Sequence, residues 1–236
     1  MLDFFKKKIK KGAKVAVCSD QDAIAIARIR REKDLPPVLD LCELQEIENF
    51  SIRDAEIARL TKQYDLDQYE CLSSLELGDY NLLLVEAPDV QPDELRAAIR
   101  WRVKELIDFH IDDAVVDVFE APSYKAAGKN KMMYAVVAKS NRVKALIDQL
   151  NNADLNLNII DIPELALRNI AAMLPEDVGG VALIYAGQNQ GLITITRQSS
   201  LYLSRTINAG VSQLPESALS VMDDESCQRW LDSIVI

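Results

Sequence analysis

Large and small apolar residues alternate in two short runs near the start of the chain, Lys14–Ser19 and Ala23–Arg28. A period of two predicts strands, and Asp20-Gln21-Asp22 between them has the chemistry of a turn. Pro36-Pro37 interrupts, and an apolar run resumes from Val38 to Leu44. Ile52, Ala55, Ile57, Leu60 and Tyr64 follow helical spacing and predict a helix over 53–64. Tyr69–Leu77 alternates loosely and stops at Gly78-Asp79, a turn signal. Tyr80–Glu86 reads as a buried strand.

The strongest helical pattern spans Asp93–Ile107, where Leu95, Ala98, Ile99, Val103, Leu106 and Ile107 share one face. Val115–Glu120 and Met133–Ala138 read as strands joined by a flexible loop over 125–131. Ser140 is an N-cap candidate for a helix running to about Leu150. Leu155–Ile160 predicts a strand, and Pro163 opens a helix with Leu165, Leu167 and Ile170 apolar. Pro175 and Gly179-Gly180 mark a boundary. Val181–Ala186, Gly191–Arg197 and Leu201–Ile207 then follow so closely that they must pair antiparallel. Gly210 ends this meander, and one helix-like segment, Asp224–Ile234, remains. The fold class is mixed α/β.

Composition narrows the possible functions. The net charge of −10 disfavours nucleic acid, because phosphates repel an acidic surface, and 6% aromatic residues offer little for base stacking. Cys18, Cys42, Cys71 and Cys227 lack C-x-x-C spacing, and with a single histidine, His110, no familiar zinc ligand set can be assembled. The thiols read as reduced core residues. No apolar run approaches the ~20 residues that span a bilayer, and the N-terminus lacks a signal-peptide h-region. The first eleven residues hold five lysines and one aspartate. Leu2, Phe5 and Ile9 would form one helical stripe among them, a pattern suited to an anionic membrane surface. The alternative is a solvated basic tail.

Catalytic candidates are few. His110 in Asp108-Phe-His-Ile-Asp112 could act as an acid or base, but it reads better as a solvated loop residue. The eight glycines spell neither a Walker A loop nor G-x-G-x-x-G, and no G-x-S-x-G elbow is present.

The order Val85-Glu-Ala-Pro88, Glu94-Leu95, Arg100-Trp101 and Asp161 resembles the PilM family, the actin-like cytoplasmic proteins of type IV pilus assembly. Within it, the pattern is similar to the MshI branch of the mannose-sensitive haemagglutinin (MSHA) pilus, and more distantly to the cytoplasmic part of GspL. The resemblance implies an actin-like scaffold. Residues 1–12 would be a basic segment, 13–78 and 154–177 the first lobe's core, 79–153 a small inserted subdomain, and 178–236 the start of a second lobe. The 26 residues after Gly210 are too few to finish that lobe, so the sequence is either part of a longer protein or its second lobe is reduced.

Actin-like ATPases hold phosphates between two hairpin turns, each with an Asp-x-Gly pattern. The first turn here has Asp20 but no glycine; in the second, Tyr185 stands where aspartate is expected, with Gly187 and Gly210 retained. The resemblance therefore implies a scaffold with a degenerate site for ATP and magnesium and no catalytic residue. Its partner would be the cytoplasmic N-terminus of a PilN-like inner-membrane protein, MshJ-like in the MSHA case, with the chain peripheral to that membrane. An active ATPase of pilus or type II secretion assembly is the alternative; an unrelated membrane-peripheral adaptor is a third. Trp101 lies about 240° around its helix from Leu95, off the apolar stripe. It would fill a seam between subdomains or line the peptide groove the family builds there.

Overall fold

The computed structural model describes residues 9–20, 22–33, 35, 37–47, 49–122, 131–187, 189–208 and 210. The expectations for Leu2, Phe5, Cys227 and the segment Asp224–Ile234 lie outside these residues. The chain divides into two compact units: Met1–Asn81 with Lys104–Asp117 and Val136–Ile162, and Leu82–Val103 with Val118–Ala135 and Pro163–Ile236.

The first unit is organised by a five-stranded sheet of order β3-β2-β1-β4-β8. β1 (Ala13–Ser19), β2 (Ala23–Arg30) and β3 (Val38–Glu46) form an antiparallel meander. β4 (Glu70–Ser74) runs parallel to β1, and β8 (Asn156–Asp161) runs parallel to β4. Alternation sends Val15, Val17, Ile24 and Ile26 to one face, where they are 0–3% exposed. α1 (Arg53–Gln63) closes that face with Ile57 and Leu60, and α3 (Ser140–Asn152) adds Leu150. Burying each of these aliphatic side chains contributes roughly 1.5–3 kcal/mol to the unit's stability.

A second sheet has order β11-β10-β9, with β9 (Val181–Ala186), β10 (Gly191–Arg197) and β11 (Ser200–Ile207) antiparallel as their short turns demand. α4 (Pro163–Ala171) packs on it. A third sheet has order β5-β7-β6, built from β5 (Tyr80–Glu86), β6 (Ala114–Glu120) and β7 (Met132–Lys139). In the second unit Ala121, Tyr134 and Leu201 form a small cluster with Leu82, Phe119 and Met132. The rings of Phe119 and Tyr134 stack there at 5.1 Å.

Four expectations need correction. The helix drawn over 93–107 is α2, Leu95–Val103, which tightens into a 3-10 turn at Lys104–Leu106. Three residues per turn instead of 3.6 shifts the phase, so Leu106 leaves the apolar stripe and is 56% exposed. β5 is not a buried strand: it sits at a sheet edge, with Val85 buried and Leu84 exposed. Ser140 is the first residue of α3, not its cap. Lys139 occupies the capping position and makes no side-chain cap bond. Finally, the cysteines are not uniformly core: Cys71 is buried, Cys18 half-buried and Cys42 exposed, because Cys42 points off the covered face of the edge strand β3.

Candidate functional site

The hairpin turn joining β1 to β2 is where an actin-like protein would receive a phosphate from the first lobe. Here the turn is closed on itself. The Asp20 N–H donates to the Ala23 carbonyl at 3.0 Å. The Asp20 carboxylate accepts the N–H groups of Asp22 at 2.9 Å and Ala23 at 2.8 Å through Oδ1. Backbone N–H groups of a tight turn make an anion cradle only when they point outward unpaired. Two of them are taken here by a carboxylate that would itself repel phosphate. Two positions before Asp20, burial pushes the Cys18 thiol above its ordinary value, with Asp161 adding to the rise.

The second turn, between β9 and β10, belongs to the other unit. The Gly187 N–H donates to the Gln190 carbonyl at 2.9 Å. A Cβ on Gly187 would lie 2.9 Å from that same carbonyl oxygen and 3.5 Å from the Tyr185 ring. The turn's own packing therefore requires this glycine. Tyr185 is 45% exposed and offers a phenol where a carboxylate would organise metal-bound water. Gly210 is buried.

Trp101 stands on α2 and is 73% exposed. Its helix is held by Ile99 and Val103, both fully buried, so the indole is carried on a fixed element and turned outward. Beside it, Arg102 approaches Glu86 of β5 at 3.8 Å.

His110 caps a 3-10 turn at Ile111–Asp113, its Nδ1 accepting the Asp112 N–H at 3.3 Å. With its side chain 68% exposed and the Asp112 carboxylate 3.5 Å away, it is a solvated capping residue. Ile9 is half-buried. Its neighbour Lys10 is tied to the first unit: the backbone N–H donates to Gln68 at 2.7 Å and the ammonium lies 5.3 Å over the Tyr69 ring. Among the described residues no group of three His, Cys, Asp or Glu side chains could hold a metal ion, and no helix is long and apolar enough to cross a membrane.

Sequence reasoning missed a polar cavity of about 180 Å³ in the first unit, lined by Asp79, Tyr80, Asp108, Phe109, Lys139 and Arg142 among others. Arg142 pairs with Asp79 at 3.4 Å, and the Lys139 ammonium sits 5.1 Å over the Phe109 ring. The segments meet only in space. In the sequence they read as a turn, a loop and the start of a helix, and no local signal joins them.

The fold that positions these turns is actin-like. The chain aligns with the PilM–PilN type IV pilus biogenesis complex at a TM-score of 0.71 and 16% identity, covering 92% of this chain and 68% of that one. It aligns with the cytoplasmic domain of EpsL, an inner-membrane component of the type II secretion system of Vibrio cholerae, at 0.55 and 13%, covering 83% and 71%. A Bacteroides thetaiotaomicron protein with an actin-like ATPase fold and unknown function aligns at 0.52 and 9%, covering 98% and 80%. The protein is therefore of the actin-like ATPase fold class. Residues 43–226 match the family model of the type IV pilus assembly protein PilM, and the chain belongs to that family. No curated protein matches it by sequence.

Proposed function

We propose that this chain is a non-catalytic scaffold of type IV pilus assembly. It works in the cytoplasm at the inner membrane and binds the cytoplasmic N-terminus of a PilN-like protein. Membership of the PilM family supports the pilus role, and the likeness to a PilM–PilN complex supports the partner. The order Val85–Pro88, Glu94-Leu95, Arg100-Trp101 and Asp161 favours the MshI branch and hence an MshJ-like partner.

The observation that carries scaffold over ATPase is the first hairpin turn. Its Asp20 carboxylate occupies two N–H groups of the phosphate-facing loop. Tyr185 in place of the second aspartate points the same way. Exposed Trp101 on α2 supplies the kind of anchor that dominates peptide interfaces.

Two measurements on the purified full-length protein, with its second lobe complete, test this reading. Calorimetry with magnesium and ATP should show no binding tighter than about 100 μM, or roughly 5.4 kcal/mol. Micromolar affinity would overturn the degenerate-site reading and favour the active ATPase. A synthetic peptide of a PilN-like N-terminus should bind without nucleotide; its failure to bind, with ATP present or absent, would remove the scaffold role.

A further inference from the structure

Positive charge gathers at one end of the first unit's sheet. β1 and β2 pair antiparallel with Ala13 opposite Arg30, and the Arg31 N–H donates to the Gly12 carbonyl at 2.7 Å. The chain just before β1 and the chain just after β2 therefore lie side by side. Residues 10–14 and 28–40, which meet there, hold seven lysines and arginines against Glu32, Asp34 and Asp40. That is +4 in a chain of net −10, so the remainder carries −14. Part of the positive charge is taken up locally: Arg28 and Arg30 pair with Asp40 at 3.0 and 2.7 Å, and Lys14 with Glu70 at 3.3 Å. Lys11, Arg31 and Lys33 are exposed.

The same end is also apolar. Register sets Ile29 opposite Leu39 and Arg30 opposite Val38. Leu35 lies in the turn between the two strands, its N–H donating to the Glu32 carbonyl at 3.3 Å. Ile29, Leu35, Val38 and Leu39 are 46–59% exposed. Exposed apolar side chains grouped in this way mark a contact surface. The support beneath them is fixed: the Lys10 N–H donates to the Gln68 carbonyl at 2.7 Å, and the Lys10 ammonium and Arg28 guanidinium both stack on the Tyr69 ring.

We propose that the β2–β3 end of this sheet docks on an anionic lipid surface. Leu35, Val38 and Leu39 enter the headgroup layer, and Lys11, Arg31 and Lys33 meet the lipid phosphates. Large apolar side chains set among lysine and arginine are what such an interface takes: apolar area supplies insertion, and the cations supply attraction to anionic headgroups. The acidic remainder of the chain is repelled by the same surface, so charge complementarity also selects which end approaches. The basic residues 1–11 lead into β1 at this end and continue the patch. The inference does not depend on the pilus role, because it needs no partner protein.

Sedimentation of the full-length protein with vesicles, no partner present, tests this. One set is phosphatidylcholine alone; the other mixes it with phosphatidylglycerol in equal parts. Wild type should bind the mixed vesicles and ignore the neutral ones. Arg31→Ser with Lys33→Ser should lower the partition coefficient at least about tenfold, each cation near the surface being worth about fivefold. Leu35→Ser with Leu39→Ser should lower it by a similar factor through lost insertion. All four side chains are exposed, so circular dichroism melts should match wild type. Lys144→Ser is the control: it is exposed on α3, which packs beside β8 at the far edge of the sheet, and should change binding by no more than about twofold. Wild type that ignores mixed vesicles overturns the proposal. So does an equal loss in Lys144→Ser, which would make the attraction non-specific, or a loss confined to one of the two pairs. Unchanged binding in both pairs also overturns it, leaving residues 1–11 as the whole contact.

Discussion

Replacing Trp101 with alanine separates a binding role from a packing one, because exposure predicts opposite outcomes for the two. Trp101 is 73% exposed, so folding buries about a quarter of its surface. For a side chain of roughly 250 Å², that is about 65 Å², or ~1.6 kcal/mol at ~25 cal/mol per Å² as an upper estimate. Melting temperature should therefore fall by only a few degrees. The remaining ~180 Å² is available to a partner, equivalent to ~4–5 kcal/mol gross. Ordering and desolvation costs take most of that back, leaving a net loss above ~1 kcal/mol on truncation, or at least fivefold in Kd. Titrating a fluorescent PilN-like N-terminal peptide against both proteins, with circular dichroism melts in parallel, measures the two quantities. Unchanged affinity in a folded variant refutes the groove role. A loss of stability well beyond ~2 kcal/mol would show that Trp101 is structural after all.

Burial holds the Cys71 thiol up to about 12 against an ordinary 9.0, with the neighbouring Cys18 adding to the rise. The folded chain therefore keeps this proton after the unfolded chain has lost it, and stability must fall as pH rises from about 9 towards 12. Denaturant unfolding at pH 8, 9 and 10 should show wild type losing about 1 kcal/mol per pH unit relative to Cys71→Ala above pH 9; parallel curves would contradict it. Asp177, 7% exposed, accepts the Ser199 N–H at 2.8 Å where Gln198 and Ser199 adopt left-handed angles. Asp177→Ala should cost ~1–2 kcal/mol by chemical denaturation and Asp177→Asn clearly less, and equal losses would show that the hydrogen bond is not the cause. Deleting residues 1–11 should reduce sedimentation with anionic vesicles at low salt, each lysine contributing about 1 kcal/mol. Equal sedimentation of both forms would favour a solvated tail.

Much of the fold was legible because its signals are local. Strand alternation in β1, β2 and β9–β11, and the periodicity of α1 and α4, are written in a few neighbouring residues each. The misreadings share a physical cause. Whether β5 is buried depends on its place in a sheet, and an edge position is fixed by residues 114–139, not by Tyr80–Glu86 itself. The end of α2 depends on where Val103 anchors, after which the chain tightens and Leu106 turns out. Cys42 follows the same rule: its strand was evident, its face was not.

At the candidate site, the amino-acid sequence alone tells which residues are missing. It showed the lack of a glycine beside Asp20, the tyrosine at 185, and a tryptophan off the apolar stripe of its helix. Residue identity and helical phase suffice for such statements. What the surviving groups do is settled by hydrogen bonding and packing in three dimensions. Asp20 spends its carboxylate on its own turn, a matter of hydrogen-bond geometry that composition does not encode. Gly187 is required by the carbonyl of Gln190 pressed against it. Trp101 faces outward because Ile99 and Val103 claim the buried side of α2. Which of two faces a side chain occupies is settled by what packs on the other, and that neighbour comes from a distant part of the chain.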